Sequence, residues 1–223
     1  AEKIYNEILV INSKHILTLN NLGLLKQNQG DHTAAITFFK RALKIEPSAA
    51  THSNLSTSLI ALELKDEAIQ HLKTAISMNP GDHIAHANLG ILFCSKNNYK
   101  DGYLHLQKSL QLAPKYTNAL YNLGSFLMRQ GKYKIAQEYY QKALTIEPST
   151  LIFQNYLFCL CFDENAFPHP YLDIAKEFEK LYFKQRSFMF NKWPNSSDIN
   201  TSQLKIGFVS GDLRNHPVGF FIE

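Results

Sequence analysis

The sequence has no apolar run of the roughly 18 residues that a membrane-spanning helix needs, and it opens on no charged-then-apolar leader. The expected setting is cytoplasmic, with no membrane partner. Lys and Arg number 23 against 19 Asp and Glu, yet no basic run and no basic stripe on one helix face accompanies this excess. Nucleic acid is therefore not an expected partner. Cysteine is scarce: Cys94, Cys159 and Cys161 cannot all pair, and the last two stand two apart, where helical side chains diverge. All three read as small buried or half-buried apolar residues. The glycines form neither G-x-G-x-x-G nor a Walker-type Gly-Lys-Ser/Thr, so the chain as given holds no phosphate cradle and no bound cofactor is expected. His83, His86 and Cys94 are too sparse for a zinc site, and His52 and His86, like His71 and His105, recur at equivalent positions without suggesting a metal.

What is present is a repeat. Asn21-Leu22-Gly23, Asn54-Leu55-Ser56, Asn88-Leu89-Gly90 and Asn122-Leu123-Gly124 follow one another at 33 or 34 residues. Each unit continues with a small residue (Ala35, Ala68, Gly102, Ala136), a large one (Phe39, Leu72, Leu106, Tyr140) and a second small one (Ala42, Ala75, Ser109, Ala143). Each closes on proline: Pro47, Pro80, Pro114, Pro148. Small residues let two antiparallel helices approach closely. Proline stops the second helix, because it lacks the N–H and drives its predecessor out of the helical region. A helix–turn–helix of this length cannot bury its apolar face alone and must stack on its neighbours.

That period and pattern resemble the tetratricopeptide repeat. The expected fold is all-α, a right-handed tetratricopeptide superhelix over residues 1–160. It comprises a partial unit at 1–14, units at about 15–48, 49–81, 82–115 and 116–149, and a degenerate unit from 150. The partial unit, in which Ala1, Tyr5, Ile8 and Ser13 stand in for Ala35, Phe39, Ala42 and Pro47, and the absence of an initiating Met give the expectation of an excerpt from a longer protein.

Asparagine recurs mid-helix at Asn21, Asn54, Asn88, Asn122 and Asn155, where propensity does not favour it. Two readings are open. The amides either tie one helix to the next or sit on a solvated face, or they line the inner side of the stack and meet the backbone of an extended peptide.

After Pro148 the pattern degrades. Phe158, Cys159, Leu160, Cys161 and Phe162 make the segment apolar nearly all round, which predicts burial on several sides. Residues 161–203 read as a turn with two prolines, an amphipathic helix from Tyr171 to about Phe190, and a polar linker. Leu204 to Val209 then forms the first convincing strand, with a turn at Ser210-Gly211-Asp212 and a helix start at Pro217, the way a doubly wound α/β domain begins.

The segment LKIGFVSGDLRNHPVGFF resembles the opening of the catalytic region in the O-linked N-acetylglucosamine transferases and the related Spindly proteins. Leu204, Lys205, Ile206, Gly207, Phe208, Val209, Ser210, Asp212, Leu213, His216 and Pro217 carry the match. The resemblance implies tetratricopeptide repeats, a transitional helical segment and a Rossmann-like lobe of the GT-B type, of which residues 204–223 would be the truncated start. It implies transfer of a sugar from UDP-N-acetylglucosamine or GDP-fucose to Ser or Thr hydroxyls. His216 would be the catalytic base or the group orienting the acceptor. It also favours the peptide-binding reading of the asparagines, with an acceptor polypeptide in the groove. The residues at hand, lacking the donor-binding lobe, are expected to be inactive alone. The rival expectation is a non-enzymatic scaffold for protein–protein interaction, and the repeats also offer a surface for a homodimer.

Overall fold

The structure is a computed structural model that describes residues 1–162 together with residues 173, 174 and 176. The described helices lie in a compact unit running from Ala1 to Lys184; a second unit, Gln185–Glu223, falls wholly outside the described residues. The expected strand at 204–209, His216 and most of the transitional segment fall there or in the undescribed remainder of the first unit.

Among the described residues there are ten helices and no strand. They are α1 (Glu2–Ile11), α2 (Ile16–Asn28), α3 (His32–Ile45), α4 (Ala49–Ala61), α5 (Lys65–Met78), α6 (His83–Ser95), α7 (Tyr99–Leu112), α8 (Thr117–Arg129), α9 (Tyr133–Ile146) and α10 (Thr150–Leu160). Even-numbered helices are the first helices of the units and odd-numbered ones the second. The all-helical expectation holds over this span.

The prolines end the second helices by a common geometry. Glu46, Asn79, Ala113 and Glu147, each preceding a proline, all leave the helical region, with φ of −149°, −136°, −137° and −141° and positive ψ. In each case the last N–H still donates four residues back, to Ala42, Ala75, Ser109 and Ala143. α1 stops the same way at Asn12, whose N–H donates to Ile8, with Ser13 where the others have proline.

The turn inside each unit has its own device. Gly30, Glu63, Asn97 and Gly131 hold left-handed backbone with φ of 80°, 59°, 63° and 71°. Glycine adopts this conformation freely, asparagine tolerates it, and glutamate is strained there. Asp31 and Asn98, next in sequence, cap the following helix by accepting the N–H of Ala34 and Asp101.

The seam between first and second helix is close because one side supplies no side chain. A Cβ on Gly23 would lie 2.5 Å from the Phe39 ring, and one on Gly124 would lie 2.8 Å from the Tyr140 ring. In the third unit the two backbones themselves meet, since a Cβ on Gly90 would lie 2.9 Å from the Gly102 carbonyl oxygen. Phe39, Leu72, Leu106 and Tyr140, sixteen residues after each small position, are fully buried or nearly so. Each such side chain contributes about 1.5–3 kcal/mol by leaving water.

The stack curves with a definite sense. α2, α4, α6, α8 and α10 touch one another in succession, whereas α3, α5, α7 and α9 touch only first helices. Helices that approach more closely lie on the inner side of a bend, so the first helices form the inner face.

Two expectations need correction. Cys94 is half-buried and Cys159 buried, but Cys161 is exposed, because α10 ends at Leu160 and Cys161 lies in the turn beyond. Phe158 and Phe162 are about half exposed, at 50% and 51%, since α10 packs on α8 and α9 through Ile152 and Cys159 and presents Phe158 on another face.

Candidate functional site

All five asparagines are half-buried on first helices, at the same level of each. Four residues earlier and three residues later on a helix lie on the same face. Those neighbours are Leu17 and Leu24, Ala50 and Thr57, Ile84 and Ile91, Asn118 and Ser125, Leu151 and Phe158. Several are apolar yet open to solvent: Leu17 is 65% exposed, Ile84 41% and Leu151 53%. The inner face is thus a row of amides flanked by exposed aliphatic and aromatic side chains.

The amides do not all do the same work. Asn88 donates to the Thr57 hydroxyl at 3.5 Å and Asn155 to the Tyr121 hydroxyl at 3.3 Å, each reaching back to the preceding first helix. Asn122 turns inward on its own helix, donating to the carbonyl and the side-chain oxygen of Asn118 at 2.8 and 2.6 Å. Asn21 and Asn54 spend their side-chain amides on no hydrogen bond among the described residues. The helix-tying reading therefore applies to Asn88 and Asn155, and Asn21 and Asn54 keep full capacity for a ligand.

Charge is nearly absent from this face. α4, α6 and α10 carry no Asp, Glu, Lys or Arg; α2 carries only Lys26 and α8 only Arg129. Lys26 is bound to Glu2 of α1 at 2.6 Å, while Arg129 forms no ion pair among the described residues. Arg129 lines a cleft of about 140 Å³ among α6, α7 and α8, together with Ile91, Ser95, Leu106, Asn122 and Ser125. Cys94 lines the same cleft; burial pushes its thiol pKa up and Arg129 offsets this only in part, which disfavours the thiolate.

Behind the ladder the structure joins residues that the repeat had only aligned. His52 on α4 meets His71 on α5, with the Nδ1 atoms 2.8 Å apart. One unit later His86 on α6 meets His105 on α7 at 3.0 Å. Their recurrence was visible in sequence, but the pairing, 19 residues apart across a turn, was not.

Comparison with known proteins agrees with this geometry. Residues 16–48 and 117–150 match one tetratricopeptide-repeat family profile and residues 49–82 match another. No curated protein sequence matches. Among solved structures, that of pilF from Pseudomonas aeruginosa superposes with a TM-score of 0.68 at 17% identity, covering 80% of this chain and 81% of its own. MamA superposes at 0.63 with 23% identity over 79% and 97%. YrrB, described as a TPR protein with an unusual peptide-binding site, superposes at 0.59 with 17% identity over 82% and 95%. At these identities the likeness is one of fold. The described helices, with the turn, seam and proline devices repeated unit by unit, are a stack of tetratricopeptide repeats.

Proposed function

We propose that this stack is a protein-interaction module that receives an extended polypeptide segment along its first-helix face. The observation that carries the reading is the nearly uncharged inner stripe, where half-buried asparagines recur in every unit and exposed apolar side chains flank Asn21, Asn88 and Asn155. An amide both donates and accepts, so it pairs with the backbone of a bound segment whatever its sequence, and the flanking aliphatic groups cover that segment's side chains. The peptide-binding site described for YrrB, which has the same fold, supports this use of such a stack.

The test is the double substitution Asn21→Ala with Asn54→Ala, compared with the parent on an array of extended peptides. Binding to the parent's best peptides is expected to fall tenfold or more, about 1.4 kcal/mol. The unfolding midpoint is expected to hold or rise slightly, because Ala is the better helix former and neither amide is engaged in the fold. Unchanged affinity would sink the reading, and a lost fold would return the ladder to helix-tying.

A second reading rests on residues 204–217, whose pattern Leu204-Lys205-Ile206-Gly207-Phe208-Val209-Ser210 followed by His216-Pro217 resembles the glycosyltransferases named above. On that reading the module presents acceptor Ser or Thr hydroxyls to a nucleotide-sugar-dependent transferase region. His216 takes the hydroxyl proton or orients the acceptor, and the donor is UDP-N-acetylglucosamine or GDP-fucose. Transfer from each donor by the full-length protein, with His216→Ala as control, tests it; no transfer from any nucleotide sugar removes it.

A further inference from the structure

In both histidine pairs the ring centroids lie about 5 Å apart, 5.0 and 5.2 Å, while the Nδ1 atoms lie 2.8 and 3.0 Å apart, so the two nitrogens point at each other. Head-on nitrogens at this separation leave room for one hydrogen between them. A zinc ion, with bonds of about 2.0 Å to each nitrogen, does not fit. We infer that each pair is a proton-binding site of fixed capacity, taking up one proton with the interhelix contact intact and a second only by breaking it, so that acid loosens α4 from α5 and α6 from α7.

The count follows from the rings. A pair has four nitrogens and, when neutral, two hydrogens, one of them bridging Nδ1 to Nδ1. A third hydrogen goes to a free Nε2 and leaves the bridge in place. A fourth must go to the accepting Nδ1, which sets N–H against N–H. In the second pair His86 Nε2 lies 3.2 Å from the Pro80 carbonyl, which can only accept, so His86 carries its hydrogen there and His105 donates the bridge. The first added proton therefore belongs on His105 Nε2.

The surroundings are similar in the two units. An acidic residue stands one turn before each second-helix histidine: Glu67 Oε1 lies 3.8 Å from His71 Nε2, and Asp101 occupies the corresponding place before His105. These carboxylates favour the singly charged pair. Facing the first pair is also Lys40 of α3, which binds Glu67 at 2.7 Å. Facing the second are Lys73 of α5, Asp82 and Lys108. Burial is the largest influence on all four rings and holds their pKa values below the ordinary histidine range.

A lowered folded-state pKa means that the folded chain binds fewer protons than the unfolded one. The stabilisation is therefore full above the unfolded value, about 6.5, and is lost as pH falls through the folded values. His52 and His86 stand two residues before Asn54 and Asn88, so loosening these pairs shifts the second and third of the five ladder amides. That last consequence rests on the groove proposed above; proton uptake does not.

The decisive experiment is an NMR titration of the imidazole nitrogens in the unaltered chain. Each pair is expected to titrate in two steps about one pH unit or more apart. In the second pair His105 Nε2 should protonate first and His86 Nδ1 last. Coincident single steps near 6.5, or His86 Nδ1 protonating first, would overturn the inference. As a second measurement, the parent should lose unfolding midpoint between about pH 7.5 and pH 5, and the variant H52L/H71L/H86L/H105L should lose half as much or less. An equal loss in a folded variant overturns it, and if that variant does not fold the ring titration decides alone.

Discussion

First and second helices share one period and, in the complete units, differ by a single residue in length, 13 against 14, yet they meet solvent differently. The second helices carry charge throughout: Lys40, Arg41 and Lys44 on α3, Lys65, Asp66, Glu67 and Lys73 on α5, Lys100, Asp101 and Lys108 on α7, Lys134, Glu138 and Lys142 on α9. The first helices carry only Lys26 and Arg129. Both sets have exposed positions, so exposure alone does not explain the difference. Charge on α3, α5, α7 and α9 keeps an outer surface hydrated, while an exposed face without charge, bearing amides and leucines, is suited to being covered.

The largest effect should come from breaking the seam that makes the two kinds of helix possible. Gly90→Val places side-chain atoms against the Gly102 carbonyl and the Leu106 backbone nitrogen, neither of which can rotate away. A loss of about 3 kcal/mol is expected, read as a lower denaturant midpoint. Gly23→Ala should cost less, since it adds a single methyl whose nearest neighbours are side-chain atoms, those of the Phe39 ring, rather than backbone.

The comparison itself is tested by placing the same charge on each side. Ile84 on α6 is 41% exposed and Leu104 on α7 is 53% exposed. Ile84→Glu and Leu104→Glu should both leave the unfolding midpoint within about 0.5 kcal/mol of the parent. Only Ile84→Glu should weaken peptide binding, by about thirtyfold or ~2 kcal/mol, because a bound segment would bury an unpaired carboxylate there. Equal effects from the two would erase the distinction between the faces.

Much of this was legible in the sequence because it recurs in the same residue type. The small residues, the large seam residues and the prolines each hold one chemical role in every unit, so the spacing alone reveals the seam and the helix ends. The left-handed turn was not legible: Gly30, Glu63, Asn97 and Gly131 serve one backbone role with three residue types. The ladder's division of labour was hidden for another reason. Whether an asparagine is occupied depends on neighbours that do not repeat: Thr57 and Tyr121 of the previous unit for Asn88 and Asn155, and Asn118 of its own helix for Asn122. The histidine pairs recur fully, but contact between a first and a second helix needs the helix phase as well as the period.

A smaller effect concerns a polar group in the wrong helix face. The Ser58 hydroxyl is fully buried without a hydrogen bond among the described residues, at the position where the other units have Leu25, Leu92 and Phe126. Ser58→Ala removes the unmet hydroxyl and improves helix propensity. It should raise stability by about 1 kcal/mol in chemical denaturation, with peptide binding unchanged because the site faces the seam.

The smallest expected change lies at the turn that joins the two kinds of helix. Glu63 holds φ of 59° where two of the other units use glycine, and its ion pair with Lys65 at 2.7 Å is too exposed to compensate. Left-handed backbone costs an L-residue about 1–2 kcal/mol, and glycine recovers that strain while losing more freedom on folding, so Glu63→Gly should stabilise by about 0.5–1 kcal/mol net. Asn97→Gly, starting from a residue that tolerates the conformation, should gain less. If the two substitutions gain equally, the strain is not set by the side chain, and the turn is held by the helices on either side of it.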